Sequence, residues 1–139
     1  MFHVKRISTG SPFEAKMGYS RAVVKGGWCF VSGVTGYDYA TMQMPSAIAD
    51  QARNCFATIA TVLDEAGFQM ADIVRVQYTV TDAALVDALV PVLGAALATR
   101  QSRRCGALER VTSADEHLSY PYQDLRPHAR SRCGRGRAS

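Results

Sequence analysis

Residues 21–33 read RAVVKGGWCFVSG, and this stretch has the pattern of a β-hairpin. An apolar run at 22–24 is followed by Lys-Gly-Gly at 25–27 and by a second apolar run at 28–31. Paired glycines between two β-forming runs are typical of a tight turn, since glycine adopts positive φ without strain. The stretch therefore predicts two antiparallel strands joined through the two glycines.

Two further glycines follow the second strand, in Ser32-Gly33 and at Gly36. One interpretation is that they only shape a turn, as glycine does where the backbone needs positive φ. The other is that Ser32-Gly33 lies where the backbone must approach a ligand closely. The residues alone leave both interpretations open.

The next 60 residues alternate between helical and strand patterns. Apolar residues at three-and-four spacing predict an amphipathic helix from Ser46, with Pro45 and Ser46 suited to its first turn and cap and Gly67 just past its end. Residues 72–82, DIVRVQYTVTD, alternate as a strand does, and 82–99 predict a second helix, broken or kinked near its proline and glycine. The order predicts a β-β-α-β-α-β sandwich of the α+β class, with both helices on one face of the sheet.

Length and composition predict one soluble intracellular domain. The 139 residues are 47% hydrophobic and 20% charged, and no apolar run reaches the roughly 18 residues of a membrane span. The N-terminus lacks the apolar core of a signal peptide. The four cysteines form no CxxC pair and the three histidines lack ligand spacing, so neither a metal site nor a disulfide scaffold is expected.

Basic charge is concentrated at the C-terminal end of the chain. Residues 100–139 contain nine arginines and four acidic residues, whereas residues 1–99 contain seven basic and eight acidic residues. An arginine-rich arm can bind nucleic acid, but no aromatic binding motif accompanies this one, and a solvated tail explains the composition better. We therefore expect a domain over residues 1–120 and a disordered arginine-rich tail over 121–139.

Several of these stretches together resemble the reactive intermediate deaminase family (Rid, also called YjgF-like). The resemblance covers roughly residues 16–99 and is carried by Gly18-Tyr19-Ser20, Val31-Ser32-Gly33, the Gln51-Ala52 to Asn54 helix start and Val80-Thr81-Asp82. It implies a chorismate-mutase-like fold, a cytoplasmic homotrimer, and clefts between subunits that bind small carboxylates. It also implies hydrolysis of enamines and 2-imino acids to 2-keto acids and ammonia, without metal or cofactor. Older descriptions of relatives as translation initiation inhibitors or endoribonucleases make an RNA activity a less favoured alternative.

The chemistry of imine hydrolysis indicates which groups such a site needs. The protein must hold the substrate carboxylate, present the imine carbon to one oriented water, and move protons as ammonia leaves. The resemblance implies that Tyr19 lines the cleft and that Ser32-Gly33 presents a backbone group to the substrate. It aligns Arg103 with the carboxylate-binding position, and an arginine fork suits that task. It also aligns Cys105 with a position where a cysteine often lies.

The chain departs from the family pattern at its C-terminal end. No alternating strand ending in a water-positioning glutamate follows the second helix, and Glu116 is the nearest counterpart. Val90 replaces a frequent asparagine, and Val34 replaces the glutamine of a Ser-Gly-Gln triplet. Two explanations of the C-terminal break stay open, a shifted reading frame and a divergent extension. These departures favour the alternative of a noncatalytic small-molecule-binding protein of the same fold.

Overall fold

The computed structural model describes residues 3–98, 105–110 and 124–130, with side chains described only over 3–98. Six strands and three α-helices occupy these residues, and two 3-10 turns, Met70–Asp72 and Ala83–Leu85, precede β4 and α3. The elements in chain order are β1 Lys5–Ile7, α1 Pro12–Met17, β2 Ala22–Lys25, β3 Trp28–Val31, α2 Ile48–Ala66, β4 Ile73–Val80, α3 Val86–Leu97, β5 Cys105–Arg110 and β6 Asp124–Arg130.

The strands form one sheet in the order β1-β2-β3-β6-β4-β5. The β4–β5 pair is parallel and the other pairs are antiparallel. The predicted hairpin is confirmed, because β2 pairs with β3 and the turn glycines Gly26 and Gly27 have φ of 59° and 77°. Only glycine adopts this left-handed conformation at two successive positions without cost.

The first long helix was predicted correctly in its extent but not in its cap. α2 ends before Gly67, whose φ of 82° is the left-handed conformation expected after a helix. Its N-terminal cap is Ala47, which makes no side-chain capping bond, so the expectation that Ser46 caps the helix is wrong. The Gln51 side chain instead donates to the Pro45 carbonyl at 2.7 Å and secures the entry to the helix.

The second long helix is continuous through Pro91, which differs from the predicted break. Pro91 is the sixth residue of α3, counted from Val86. The helix tolerates the missing N–H there, although proline usually breaks or bends a helix at such a position. The 3-10 turn before α3 is capped by the Asp82 carboxylate, which accepts from the Ala84 N–H at 2.9 Å.

Three elements were not predicted: β1, α1 and β6. β6 lies between β3 and β4, so the expectation of a tail without structure from residue 121 does not hold for Asp124–Arg130. The domain boundary at residue 120 stays a prediction. The sequence argued against a central strand there, because Pro127 cannot donate to a ladder and the segment lacks period-two alternation.

The core lies between the sheet and the two long helices, which confirms the predicted α+β sandwich. Buried residues of α2 pack with residues of β2, β3 and β4, and partly buried residues of α3 pack against the same cluster. Both helices therefore cover one face of the sheet. The core residues include Ile7, Ala22, Cys29, Val31, Cys55, Phe56, Ile59, Val62, Leu63, Ile73 and Val76.

Candidate functional site

A buried arginine organises the corner of the molecule where α1, the start of β2 and the end of β3 meet. Arg21 is 0% exposed. Its Nε donates to Glu14 Oε1 at 3.2 Å, its Nη1 to the Gly33 carbonyl at 2.5 Å and its Nη2 to the Tyr19 hydroxyl at 3.2 Å. The guanidinium carbon also lies 5.3 Å from the Tyr19 ring centre and 5.0 Å from that of Tyr39. We call these five residues the Arg21 corner.

Glu14 supplies the negative charge that makes a buried guanidinium tolerable. Its carboxylate accepts from Ser8 Oγ at 2.5 Å, from Thr9 Oγ1 at 2.5 Å and from the Thr9 N–H at 3.1 Å, in addition to Arg21. Burial raises the pKa of the Glu14 carboxyl, but the hydrogen bonds from Ser8 and Thr9 and the charge of Arg21 together bring the pKa below its ordinary value of 4.5. The Glu14 carboxylate is therefore ionised at neutral pH, and each guanidinium nitrogen of Arg21 has one hydrogen-bond acceptor.

Of the predicted site residues, Tyr19, Ser32 and Gly33 lie in or beside the Arg21 corner. The Ser32 hydroxyl donates to the Ser20 carbonyl at 2.7 Å, and the Ser32 N–H donates to the Arg21 carbonyl at 2.8 Å. With the Gly33 carbonyl bound by Arg21, the polar groups of this segment are largely satisfied inside the protein. Among the described residues, the Gly33 N–H has no hydrogen-bond partner.

The other glycine of this segment has a packing role. A Cβ added at Gly36 would lie 2.8 Å from the Gln51 Cα, closer than side chains and backbone normally approach. Asn54 Nδ2 donates to the Gly36 carbonyl at 3.1 Å, and the Cys55 thiol donates to the Val34 carbonyl at 3.4 Å. Gly36 therefore allows the 34–36 segment to contact the first turns of α2. Gly33 instead belongs to the Arg21 corner.

Aromatic side chains extend the Arg21 corner towards α1. Phe13 and Tyr37 have ring centres 6.0 Å apart, and those of Tyr37 and Tyr39 are 6.4 Å apart. The Tyr39 hydroxyl lies 3.1 Å from Thr35 Oγ1. Tilted ring pairs of this kind add specific stabilisation beyond their buried area, so they hold the Tyr39 ring against the guanidinium.

Of the three predicted C-terminal site residues, the structure describes only Cys105, and only its backbone. Arg103 and Glu116 lie outside the described residues. Cys105 is the first residue of β5, and its backbone lies in one row with Arg75, His128 and Phe30 across β5, β4, β6 and β3. Because strands are about 4.8 Å apart, the ends of this row are about 14 Å apart. Within one chain, Cys105 is therefore far from the strand that leads to Gly33.

The face of the sheet opposite the helices carries large aromatic side chains. Trp28 and Phe30 alternate with the buried Cys29 on β3, and their rings stack with centres 6.5 Å apart. Phe30 is 46% exposed. A large exposed aromatic side chain on a sheet face is typical of a surface that another protein surface covers.

The cysteines described with side chains are structural. Cys29 and Cys55 are buried and free, and burial raises the pKa of the Cys29 thiol to about 11, so it is neutral and unreactive. Over residues 3–98 no group of histidine, cysteine and acidic side chains could hold a metal ion. Nor does the described part of the chain include a helix long and apolar enough to cross a membrane.

The sequence did not single out Arg21, Glu14 or Tyr39. One signal was available, since Arg21 directly precedes an apolar run and follows Gly18-Tyr19-Ser20, a place where a charged residue is unexpected if the strand is buried. Its partner could not be identified by spacing. Glu14 is seven residues away, across the α1 turn that Gly18 ends with a φ of 69°.

A family comparison covers most of the chain. The model of the family described as Endoribonuclease L-PSP matches residues 9–115. This range includes the Arg21 corner, both long helices and β4 and β5.

Solved structures share the fold over nearly the whole chain. A member of the YjgF/YER057c/UK114 family from Mycobacterium tuberculosis, Rv2704, is 30% identical, with a TM-score of 0.78 over 93% of this chain and 100% of that one. RidA from an Antarctic Psychrobacter is 22% identical, with a TM-score of 0.73 over 91% of this chain and 94% of that one. At that identity the likeness to RidA shows the fold alone.

One protein with a similar sequence is an uncharacterized protein of Streptomyces coelicolor, SCO2049. It is 27% identical over 86 residues, which are 62% of this chain. The match spans 64% of the length of that relative.

Proposed function

We propose that this chain, which belongs to the Endoribonuclease L-PSP family, hydrolyses reactive enamine and 2-imino acid intermediates to 2-keto acids and ammonia. The single observation that carries the proposal is the Arg21 corner, where two residues expected to contact the substrate, Tyr19 and Gly33, are held by one buried guanidinium. A rigid arrangement of this kind suits a reaction that needs orientation of substrate and water rather than a cofactor.

Each proposed site residue has one task. Arg103 binds the substrate carboxylate through two parallel hydrogen bonds, and the Gly33 N–H donates to the same carboxylate or to a neighbouring oxygen. Tyr19 contacts the reacting end of the substrate, and Ser32 keeps the Gly33 segment in place through its bond to Ser20. Cys105 lines the carboxylate end, and Glu116 positions the water that attacks the imine carbon.

The proposed cleft lies between subunits of a homotrimer. The row from Phe30 to Cys105 is about 14 Å wide, so a small imino acid cannot contact both Gly33 and the residues next to Cys105 in one chain. A neighbouring chain can bring its own Arg103 to Gly33. The exposed Phe30 ring, stacked on the partly buried Trp28, supports assembly through this face of the sheet.

The test of the carboxylate role compares Arg103→Ala with Arg104→Ala. Loss of the charged fork should lower kcat/KM about 30- to 1000-fold for an imine generated in place by an amino-acid oxidase, with ammonia or keto-acid release as the measurement. Arg103→Lys should recover little, because an ammonium lacks the fork. Arg104→Ala serves as the matched control. Equal activity of wild type and Arg103→Ala would remove Arg103 from the site.

A second candidate function is ligand binding without catalysis. The observation that favours it is Val90, an exposed valine on α3 where the family pattern has a polar residue, together with the lack of a clear counterpart of the water-positioning glutamate. In that case keto acids should bind in calorimetry while the wild type releases no ammonia above buffer. Cleavage of RNA in the same preparation would instead favour the activity after which the family is named.

A further inference from the structure

Arg21 makes more contacts than the neutralisation of Glu14 requires. An arginine has five N–H donors in a rigid fork, and the described contacts assign one nitrogen to Glu14, one to Gly33 and one to Tyr19. Two of the three partners belong to the proposed ligand site, and one belongs to α1. The guanidinium therefore fixes the distance between two site residues that come from different segments of the chain.

The direction of the bond to Tyr19 has a chemical consequence. A guanidinium has no acceptor, so the Tyr19 oxygen must accept from Nη2, and its own O–H proton remains available to donate. A cation bound to the phenol oxygen also makes the O–H a stronger donor, because it polarises the hydroxyl. Tyr19 can thus donate to a substrate atom while Arg21 holds it from behind.

The anchoring of Arg21 makes this arrangement rigid. The carboxylate that orients it is fixed by Ser8 and Thr9, and the backbone of Tyr19 donates to the Glu14 carbonyl at 3.1 Å. Tyr19 and Arg21 are therefore both tied to Glu14, one through the backbone and one through the side chain. The Tyr39 ring centre also lies 5.0 Å from the guanidinium carbon and adds a cation–π contact.

We propose that Arg21 is a positioning residue that fixes the Tyr19 hydroxyl as a hydrogen-bond donor to the ligand and sets its distance from Gly33. This inference deepens the function proposed above and rests on it for its kinetic consequence. If Arg21 positions Tyr19, the contribution of the Tyr19 hydroxyl to kcat/KM depends on the Arg21 guanidinium. A purely stabilising Arg21 would leave that contribution unchanged.

A double-mutant cycle separates the two roles. Arg21→Lys keeps a positive charge for Glu14 but cannot reach all three partners, and Tyr19→Phe removes only the hydroxyl. With Arg21 present, Tyr19→Phe should lower kcat/KM for the imine about tenfold, and with Lys at position 21 it should lower it less than about twofold. Arg53→Lys, on the exposed surface of α2, is the matched control and should leave the full tenfold effect of Tyr19→Phe. Independent, multiplying effects of Arg21→Lys and Tyr19→Phe would overturn the proposal.

A spectroscopic measurement tests the same contact without relying on activity. In protein labelled with ¹³C at the tyrosine Cζ, the Tyr19 signal, identified by its loss in Tyr19→Phe, should shift in Arg21→Lys and stay in place in Arg53→Lys. If Arg21→Lys does not fold, the neutral pair Arg21→Gln/Glu14→Gln replaces it, because it leaves no unpaired buried charge. An unshifted Tyr19 signal would overturn the positioning role. A shifted Tyr19 signal in Arg21→Lys, together with a wild type that releases no ammonia, would refute the deaminase function and leave the contact established.

Discussion

The Arg21 corner and the outer surface of α2 each contain an arginine paired with a carboxylate, and the two pairs differ in everything but charge. The exposed pair of Arg53 and Asp50 is the shorter one, at 2.5 Å, but its side chains are 62% and 55% exposed. The pair of Arg21 and Glu14 is 3.2 Å long, with side chains 1% and 6% exposed. Distance alone therefore does not rank these contacts. Burial decides how much each pair matters for stability. When one partner is removed, water can solvate the remaining group of the exposed pair but not that of the buried pair.

The largest effect should come from removing the buried guanidinium. Arg21→Met leaves the Glu14 carboxylate buried without its cation, and we expect a loss of about 3–5 kcal/mol in the free energy of unfolding. Urea unfolding followed by circular dichroism measures it. The double variant Arg21→Met/Glu14→Gln should recover part of the loss, because it removes the unpaired charge. A loss below about 1 kcal/mol would place the two arginine pairs in the same class.

The same pair can be tested by pH, with a smaller effect. The pKa of Glu14 is lower in the folded protein than its ordinary value of 4.5, so its contribution to stability is complete above that value and is lost as the pH falls through the folded pKa. Unfolding free energies measured from pH 6 down to pH 3 should therefore fall more steeply in the wild type than in Arg21→Gln/Glu14→Gln. Parallel curves would mean that the buried pair contributes no more than other carboxylates.

Two glycines extend the comparison from charge to packing. Gly36→Ala inserts a methyl group against the Gln51 backbone, and overpacking of this kind should cost about 1–3 kcal/mol. Gly94→Ala, in an exposed turn of α3 with open space around it, should instead stabilise the protein by about 0.5–1 kcal/mol, because alanine favours the helix. Thermal unfolding of both variants checks the opposite signs. A Gly36→Ala variant as stable as the wild type would show that the 34–36 segment can move away from α2.

The smallest effect belongs to the exposed arginine. Arg53→Ala should change the unfolding free energy by about 0.5 kcal/mol or less, since water solvates Asp50 once the partner is gone. The measurement is urea unfolding at low and at high salt, and any loss should disappear at high salt. A salt-independent loss above about 1 kcal/mol would show that the apolar stem of Arg53, rather than its charge, packs on the helix surface.

The parts of the fold that the sequence predicted are those with strong local periodicity. The Gly26-Gly27 hairpin, α2 with its terminal Gly67, and β4 each have a pattern complete within the element itself. β1 and α1 are too short, at three and six residues, for a period to be recognised. β6 was missed because its proline and arginines match no strand pattern, and only its neighbours β3 and β4 make it a strand.

For the candidate site, the sequence predicted members but not their connection. Tyr19, Ser32 and Gly33 were predicted to contact the substrate, which stays a prediction, and the structure brings them together around a residue that the sequence did not single out, Arg21. The roles of Arg103, Cys105 and Glu116 stay predictions. They depend on a resemblance that weakens where the arginine-rich end begins.

The sequence by itself determined the β2–β3 hairpin, α2 and β4, because hydrophobic spacing and glycine conformation act over a few residues. Only the tertiary structure decided why Gly33 and Gly36 differ. Gly36 contacts Gln51 and Gly33 contacts Arg21, and both contacts join residues 12 or more positions apart. It also decided that Arg21 is buried, since a guanidinium can leave water only where Glu14, Tyr19 and Gly33 converge to replace its lost hydration.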